Sequence, residues 1–237
     1  FITPQIRQKV SDQLEGALWQ AMQTQQATNN KKILFGAYQG IYLSAQGRNN
    51  IYNVWKQQQA PSGIKLSEDD YTGMAFSLAL RNDADTTILT QQYARITNPD
   101  RKKRFEFIRP ALSSDVKVRD TFFASLQDLK NRGKESNVLT ALGYLHHPLR
   151  QNTSVKYLAK SLDMLQTIQV TGDIFFPQSW LASTFGSYQS AEAAQIVNTF
   201  LANHPNYNEK LKAKIQQSTD NLMRASGKLL PKTLVIE

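Results

Sequence analysis

Three histidines, two groups of carboxylates and one basic run are the residues here whose types and spacing could carry chemistry. His146 and His147 are adjacent, and His204 stands alone before Pro205. A zinc site on a helix needs histidines that share a face, as the i and i+4 pair of H-E-x-x-H does. Neighbouring residues on a helix point about 100° apart, so His146 and His147 do not converge on one ion. The pairs His147-Pro148 and His204-Pro205 read instead as helix C-termini, where an imidazole meets the orphan carbonyls. Glu68-Asp69-Asp70 and the Asp83/Asp85 pair could in principle do acid–base work. Capping accounts for both, since negative charge is favoured at the positive end of a helix. The chain has no cysteine, which removes thiolate nucleophiles, disulfides and thiolate zinc sites. It has neither a phosphate-cradling glycine loop nor a G-x-S-x-G elbow. No catalytic residue and no metal ligand follows from the motifs.

The charge is more informative. The net charge is +9, and it is unevenly placed. Residues 1–100 carry 9 Lys/Arg against 8 Asp/Glu, and residues 101–237 carry 19 against 11. The densest run is Arg101-Lys102-Lys103-Arg104, followed by Arg109, Lys117 and Arg119. Such a run binds phosphate, an acidic partner or a substrate carboxylate, or it is simply a solvated helix face. No aromatic-interleaved RNA signature or DNA-reading motif accompanies it, so nucleic acid is not the expected partner. Phe122-Phe123, Phe175-Phe176 and Trp180 are the aromatic clusters, and their expected place is the core.

The elements that would hold these residues are helices. Ile6, Val10, Leu14, Leu18 and Met22 recur every four residues after Thr3-Pro4, an N-cap with proline at the first helical position. Ile33, Leu34, Ala37, Tyr38, Ile41 and Tyr42 form a second stripe behind Asn29-Asn30. Ile51, Val54 and Trp55 mark a third. Ser67 to Asp70 is a capping box, with Leu66 and Tyr71 at the staple positions. Asn98-Pro99-Asp100 opens a helix that Pro110 kinks or ends. Further stripes run through Val118, Phe122, Leu126 and Leu129, then Val138 to Leu145, then Val155 to Leu165. Ser190 and Asn208 open the last two, while Thr233–Ile236 is the only strand-like run.

With 237 residues, 41% hydrophobic, and only 11 Gly and 8 Pro, the chain can bury a large core but lacks the frequent turns of a β-sandwich. The expected class is all-α: an irregular superhelix of paired antiparallel helices, a HEAT-like array without a strict repeat. No stretch of 18 apolar residues occurs, so no membrane span is expected. The first residue is Phe1 and no leader pattern is present. The expectation is a piece of a longer protein, in the cytoplasm or the periplasm.

Four strings are more specific than generic helix. They are Leu66–Ala75 with Leu78-Ala79-Leu80-Arg81, Arg95–Phe105 continuing through Arg109-Pro110-Ala111-Leu112-Ser113, Ala141–Arg150, and Thr171–Pro177. Together they resemble the C-terminal helical domain of zinc aminopeptidases of the aminopeptidase N type, which is similar to that of the endoplasmic-reticulum aminopeptidases. The resemblance covers roughly residues 30–226. In that family the zinc lies on H-E-x-x-H with a downstream Glu, and a G-x-M-E-N string binds the substrate amino terminus. Neither string is in this chain. The resemblance therefore implies a non-catalytic domain spanning residues 1–237, with no cofactor of its own and the zinc domain upstream. Its implied partners are that domain and peptide substrates, whose entry it restricts. Arg104-Phe105-Glu106-Phe107-Ile108-Arg109-Pro110 resembles the stretch that holds the peptide carboxylate in leukotriene-A4-hydrolase-type relatives. Arg104 matches the first basic position, Glu106 stands at the second, and Arg104 and Arg109 are the implied substrate contacts. The rival expectation is an independent helical scaffold that binds a protein or anionic partner through the basic second half.

Overall fold

A computed structural model describes residues 4–81 and 87–227. The described residues are helical, with no strand among them. The expected class is thus observed. The Asp83/Asp85 pair, the Thr3 cap and the strand-like Thr233–Ile236 lie outside the described residues. No helix among the described residues is long and apolar enough to cross a membrane. The chain divides into two compact units, residues 1–103 and 104–237.

The first unit holds α1 (Pro4–Thr24), α2 (Thr28–Ile41), α3 (Ala45–Gln57), α4 (Glu68–Arg81), α5 (Thr87–Arg95) and the opening of α6 (Pro99–Ile108). Helix α1 packs on α2, and α4 on both α3 and α5. Their core is aromatic: Phe35, Tyr38, Tyr42 and Trp55 are all buried, with Ile51, Met74 and Leu78. The four-residue stripe of α1 behaves differently from its expectation. Ile6 and Leu14 are each 47% exposed and Val10 is exposed too, whereas Met22 is buried. A four-residue step overshoots the helical turn by about 40°, so the stripe winds round α1 and reaches the core only near its end. Helix α2 likewise buries Phe35 and Tyr38 and leaves Ile33 in water. Its N-cap is Ala27, with Asn29 and Asn30 already inside the first turn.

Local signals hold up better. Ser67 and Asp70 form a reciprocal capping box, the Ser67 N–H donating to Asp70 Oδ2 (2.8 Å) and the Asp70 N–H to Ser67 Oγ (3.2 Å). Burial by itself would raise the Asp70 pKa, but the Ser67 N–H and hydroxyl, both donating to its carboxylate, and Lys32 nearby bring it below the ordinary value. Asn98 caps α6 by accepting from the N–H groups of Asp100 (2.9 Å) and Arg101 (3.1 Å).

The second unit begins within α6, which ends at Ile108. A 3-10 turn, Arg109–Leu112, carries Pro110 where the ring cannot continue the α-helix. Then follow α7 (Val116–Ser125), α8 (Glu135–Leu145), the short α9 (Gln151–Ser154), α10 (Leu158–Asp163), α11 (Leu165–Thr171), α12 (Phe176–Phe185), α13 (Ala191–Asn203) and α14 (Glu209–Ala225). Helix α12 is the hub, packed on α8, α10, α11 and α14. Trp180 at its centre is fully buried, and its indole N–H donates to the Ser161 carbonyl. The single helix expected over Val155–Leu165 is instead broken into a 3-10 turn, α10 and the start of α11. Val118 and Leu129 are exposed, and Arg119 takes the buried place on α7. Phe175 is a further correction: it is 73% exposed, and only Phe176 enters the core. Between α11 and α12, a Cβ at Gly172 would lie 2.6 Å from the Phe176 ring and 3.0 Å from the Ile168 carbonyl oxygen. Only glycine fits that approach.

Candidate functional site

The basic run winds around α6, and its charges are largely engaged. Arg101 pairs with Glu68 (3.1 Å) and Asp69 (3.3 Å) at the start of α4. The Lys102 ammonium sits 5.3 Å from the centre of the Tyr93 ring, and Lys103 lies 4.0 Å from Asp100. Arg104 is half-buried and donates one long bond, 3.5 Å, to Thr140 Oγ1 on α8. Arg109 is exposed, in the 3-10 turn. Five positions separate the two arginines along the helix and its 3-10 extension, so they leave it on roughly opposite sides. They do not form one two-armed clamp. Arg104 keeps most of its guanidinium donors free for a ligand.

The histidines occupy three separate roles. His146 caps α8 and is buried, with Nδ1 3.0 Å from the Tyr188 hydroxyl and Nε2 without a partner. Burial pushes its pKa down to about 3, so the ring is neutral. The His147 main-chain N–H donates to the Tyr144 carbonyl of α8 (3.3 Å), while its ring serves the segment that follows. His147 is the N-cap of the next turn, its Nδ1 accepting from the Leu149 N–H (3.2 Å). His204 does meet an orphan carbonyl, that of Phe200, at 2.8 Å. Among the described residues no three His, Asp or Glu side chains stand together in a way that could hold a metal ion. Each imidazole is held on a different element.

Three arginines of the second unit are buried, Arg119 of the basic stretch among them. Arg119, 1% exposed, donates to the carbonyls of Ser113 (2.5 Å) and Ser114 (3.0 Å) and to Thr153 Oγ1 (2.8 Å). Arg150 donates to the Ser113 and Leu112 carbonyls. Arg132 closes the end of α7 through the Leu126 and Gln127 carbonyls. Their cations neutralise carbonyl dipoles at helix ends.

In the first unit, open space lies between α1 and α3. One cavity of about 430 Å³ is bordered by Trp19, Gln23, Asn53, Gln57 and Gln59. A second, about 490 Å³, is bordered by Asp12, Gly16, Tyr38 and Gln46. Trp19 and Asn50 line both. The signal for this groove was in the sequence as a helical register of carboxamides, Gln46, Asn50, Asn53 and Gln57. A reading that follows only apolar residues passes over it.

No protein-family model matches the chain, and comparison with curated proteins finds no significant match.

Proposed function

We propose that this chain is the helical, non-catalytic C-terminal part of a zinc aminopeptidase of the aminopeptidase N type. In this reading it borders the cleft and helps admit and position peptides whose first residue the upstream zinc domain removes. The superhelical stacking implied by the resemblance belongs to the same proposal. What carries it is where the four strings fall: on helix junctions that make specific local demands. Leu66–Ala75 contains the capping box of α4, and Arg95–Ser113 the Asn98 cap and the Pro110 turn. Ala141–Arg150 holds the buried His146 and the His147 cap, and Thr171–Pro177 the tight Gly172 approach. Likeness at such positions is less easily reached by general helix-forming composition than likeness along helix faces.

Arg104 is the residue of this chain that would meet the peptide carboxylate, because its guanidinium makes only one long internal bond. A charge-assisted hydrogen bond contributes about 1.5–3 kcal/mol. In the enzyme that carries this domain, Arg104→Ala is expected to lower kcat/KM for free tripeptides about tenfold. Aminoacyl anilides and amide-blocked tripeptides, which present no carboxylate there, should be unaffected. Equal losses on both substrate types, or no loss on either, would remove Arg104 from the substrate path.

A further inference from the structure

Carboxamides dominate one face of α3. Gln46, Asn50, Asn53 and Gln57 stand at i, i+4, i+7 and i+11, within about 60° of arc. All four border the groove. The opposite face carries Ile51 and Trp55 into the core, so the amide face is fixed in register by packing. Across the groove α1 runs in the same direction, with Asp12 beside the Gln46 end and Gln23 beside the Gln57 end.

The hydrogen-bonding capacity of this groove is unevenly spent. Asn50 is used internally, donating to the Tyr38 hydroxyl (2.9 Å) and accepting from Gln46 (2.8 Å). The side chains of Gln23, Asn53, Gln57 and Gln59 make no hydrogen bond within the described residues. Trp19 adds a second, independent sign. The indole N–H groups of Trp55 and Trp180 both donate to internal acceptors. That of Trp19, half-buried on the Tyr38 ring, donates to none among the described residues and belongs to a side chain bordering both cavities. Indoles placed at an interface ordinarily find an acceptor.

Apart from the buried Glu15, charge is confined to the two ends. Asp12 lies at one end, and at the other Lys31 donates to the Ser62 carbonyl. Glu15, which also borders the groove, is buried and engaged by the N–H groups of Leu43 and Ser44. A ligand for the middle of this groove is therefore uncharged and carries alternating donors and acceptors beside small apolar groups. Spacing narrows it further. Carboxamides four apart on a helix are separated by about 6 Å along the axis, and an extended chain repeats every two residues in about 6.7 Å. Each carboxamide offers one donor edge and one acceptor edge, the complement of a peptide unit.

The geometry points to the α1–α3 groove as a binding site for an extended peptide segment, held through its main chain by Asn53, Gln57 and Gln23 and lying against Trp19. The stretch from Gln46 to Gln57 is about 16 Å long, room for roughly five extended residues. This inference is independent of the peptidase reading, since it uses neither Arg104 nor an upstream domain.

The test is calorimetric titration of the 237-residue chain with the neutral hexapeptide acetyl-Ala-Thr-Ala-Thr-Ala-Thr-amide. Tryptophan emission is recorded in parallel, and Trp19 is the one indole not fully buried. Saturable binding below about 5 mM is expected, with a change in emission. Asn53→Ala with Gln57→Ala should weaken binding at least fivefold at unchanged helicity, both residues being exposed. The same hexapeptide with alternate nitrogens methylated should bind at least fivefold more weakly. No saturation, equal binding of the methylated peptide, or preference for chitohexaose over the hexapeptide would each overturn the assignment.

Discussion

The buried arginines of the second unit and the groove amides of the first are used in opposite ways. In the second unit the buried cations are engaged internally: Arg119, Arg132 and Arg150 each turn inward to carbonyls at helix ends. In the first, neutral amides line an open groove and four of them are engaged by nothing internal. A buried, bonded arginine is part of the scaffold, while an unspent amide at the mouth of a cavity is available to a ligand.

This contrast makes stability the quantity to measure. The largest loss is expected for Arg119→Ala, which strips donors from Ser113, Ser114 and Thr153 together and leaves a cavity. Removing one partner of such a buried charged network costs about 3 kcal/mol, visible as a lower urea midpoint. An unchanged midpoint would break the comparison, since Arg119 would then be decorative.

A smaller loss should follow pH. His146 is neutral in the folded protein, its pKa depressed to about 3 by burial, while in the unfolded chain it takes a proton near 6.5. Above pH 6.5 both states are neutral and the full stability is present. As pH falls from there towards 3, only the unfolded chain gains the proton, so stability declines. At pH 5 the deficit is about 2 kcal/mol. Urea midpoints at pH 7 and pH 5 for the parent and His146→Gln check this. The variant should show a shallower fall, and equal slopes would sink the idea. Asp120, whose carboxyl is held low by Lys156 and by the Tyr157 hydroxyl, adds a loss of the same sign only at lower pH.

The smallest effects lie in the first unit. Ser67→Ala opens the capping box of α4 and should destabilise by about 1 kcal/mol. Asn53→Ala should alter stability by less than about 0.5 kcal/mol, although it weakens peptide binding. Thermal melts of the two variants side by side would show whether the groove amides are truly idle in the fold.

What could be seen in the sequence was what is decided within a few residues. Ser67 with Asp70, Asn98, Ser190 and Asn208 all cap as their local context requires. Long-range coverage was not legible. The spacing of Ile6, Val10 and Leu14 specifies a stripe, yet says nothing about whether another element covers it. Phe175 and Phe176 look identical by type, and only the Gly172 turn sends one out and the other in. Arg119 and Arg150 carry no sequence mark of burial, because their acceptors belong to a turn whose carbonyls are presented only after folding. For the candidate site, Arg104 came from resemblance. The amide register was visible and passed over.

Gly172 also constrains the gene. Every amino-acid change at a glycine codon adds a Cβ, and here a Cβ meets a buried ring on one side and main chain on the other. Drift therefore has no inexpensive way out of this position. Val170, Ile174 and Phe175 around it are 68–80% exposed and bound by no such constraint. The turn can keep its path for a very long time while the side chains it displays are exchanged freely, so its backbone would outlast its chemistry.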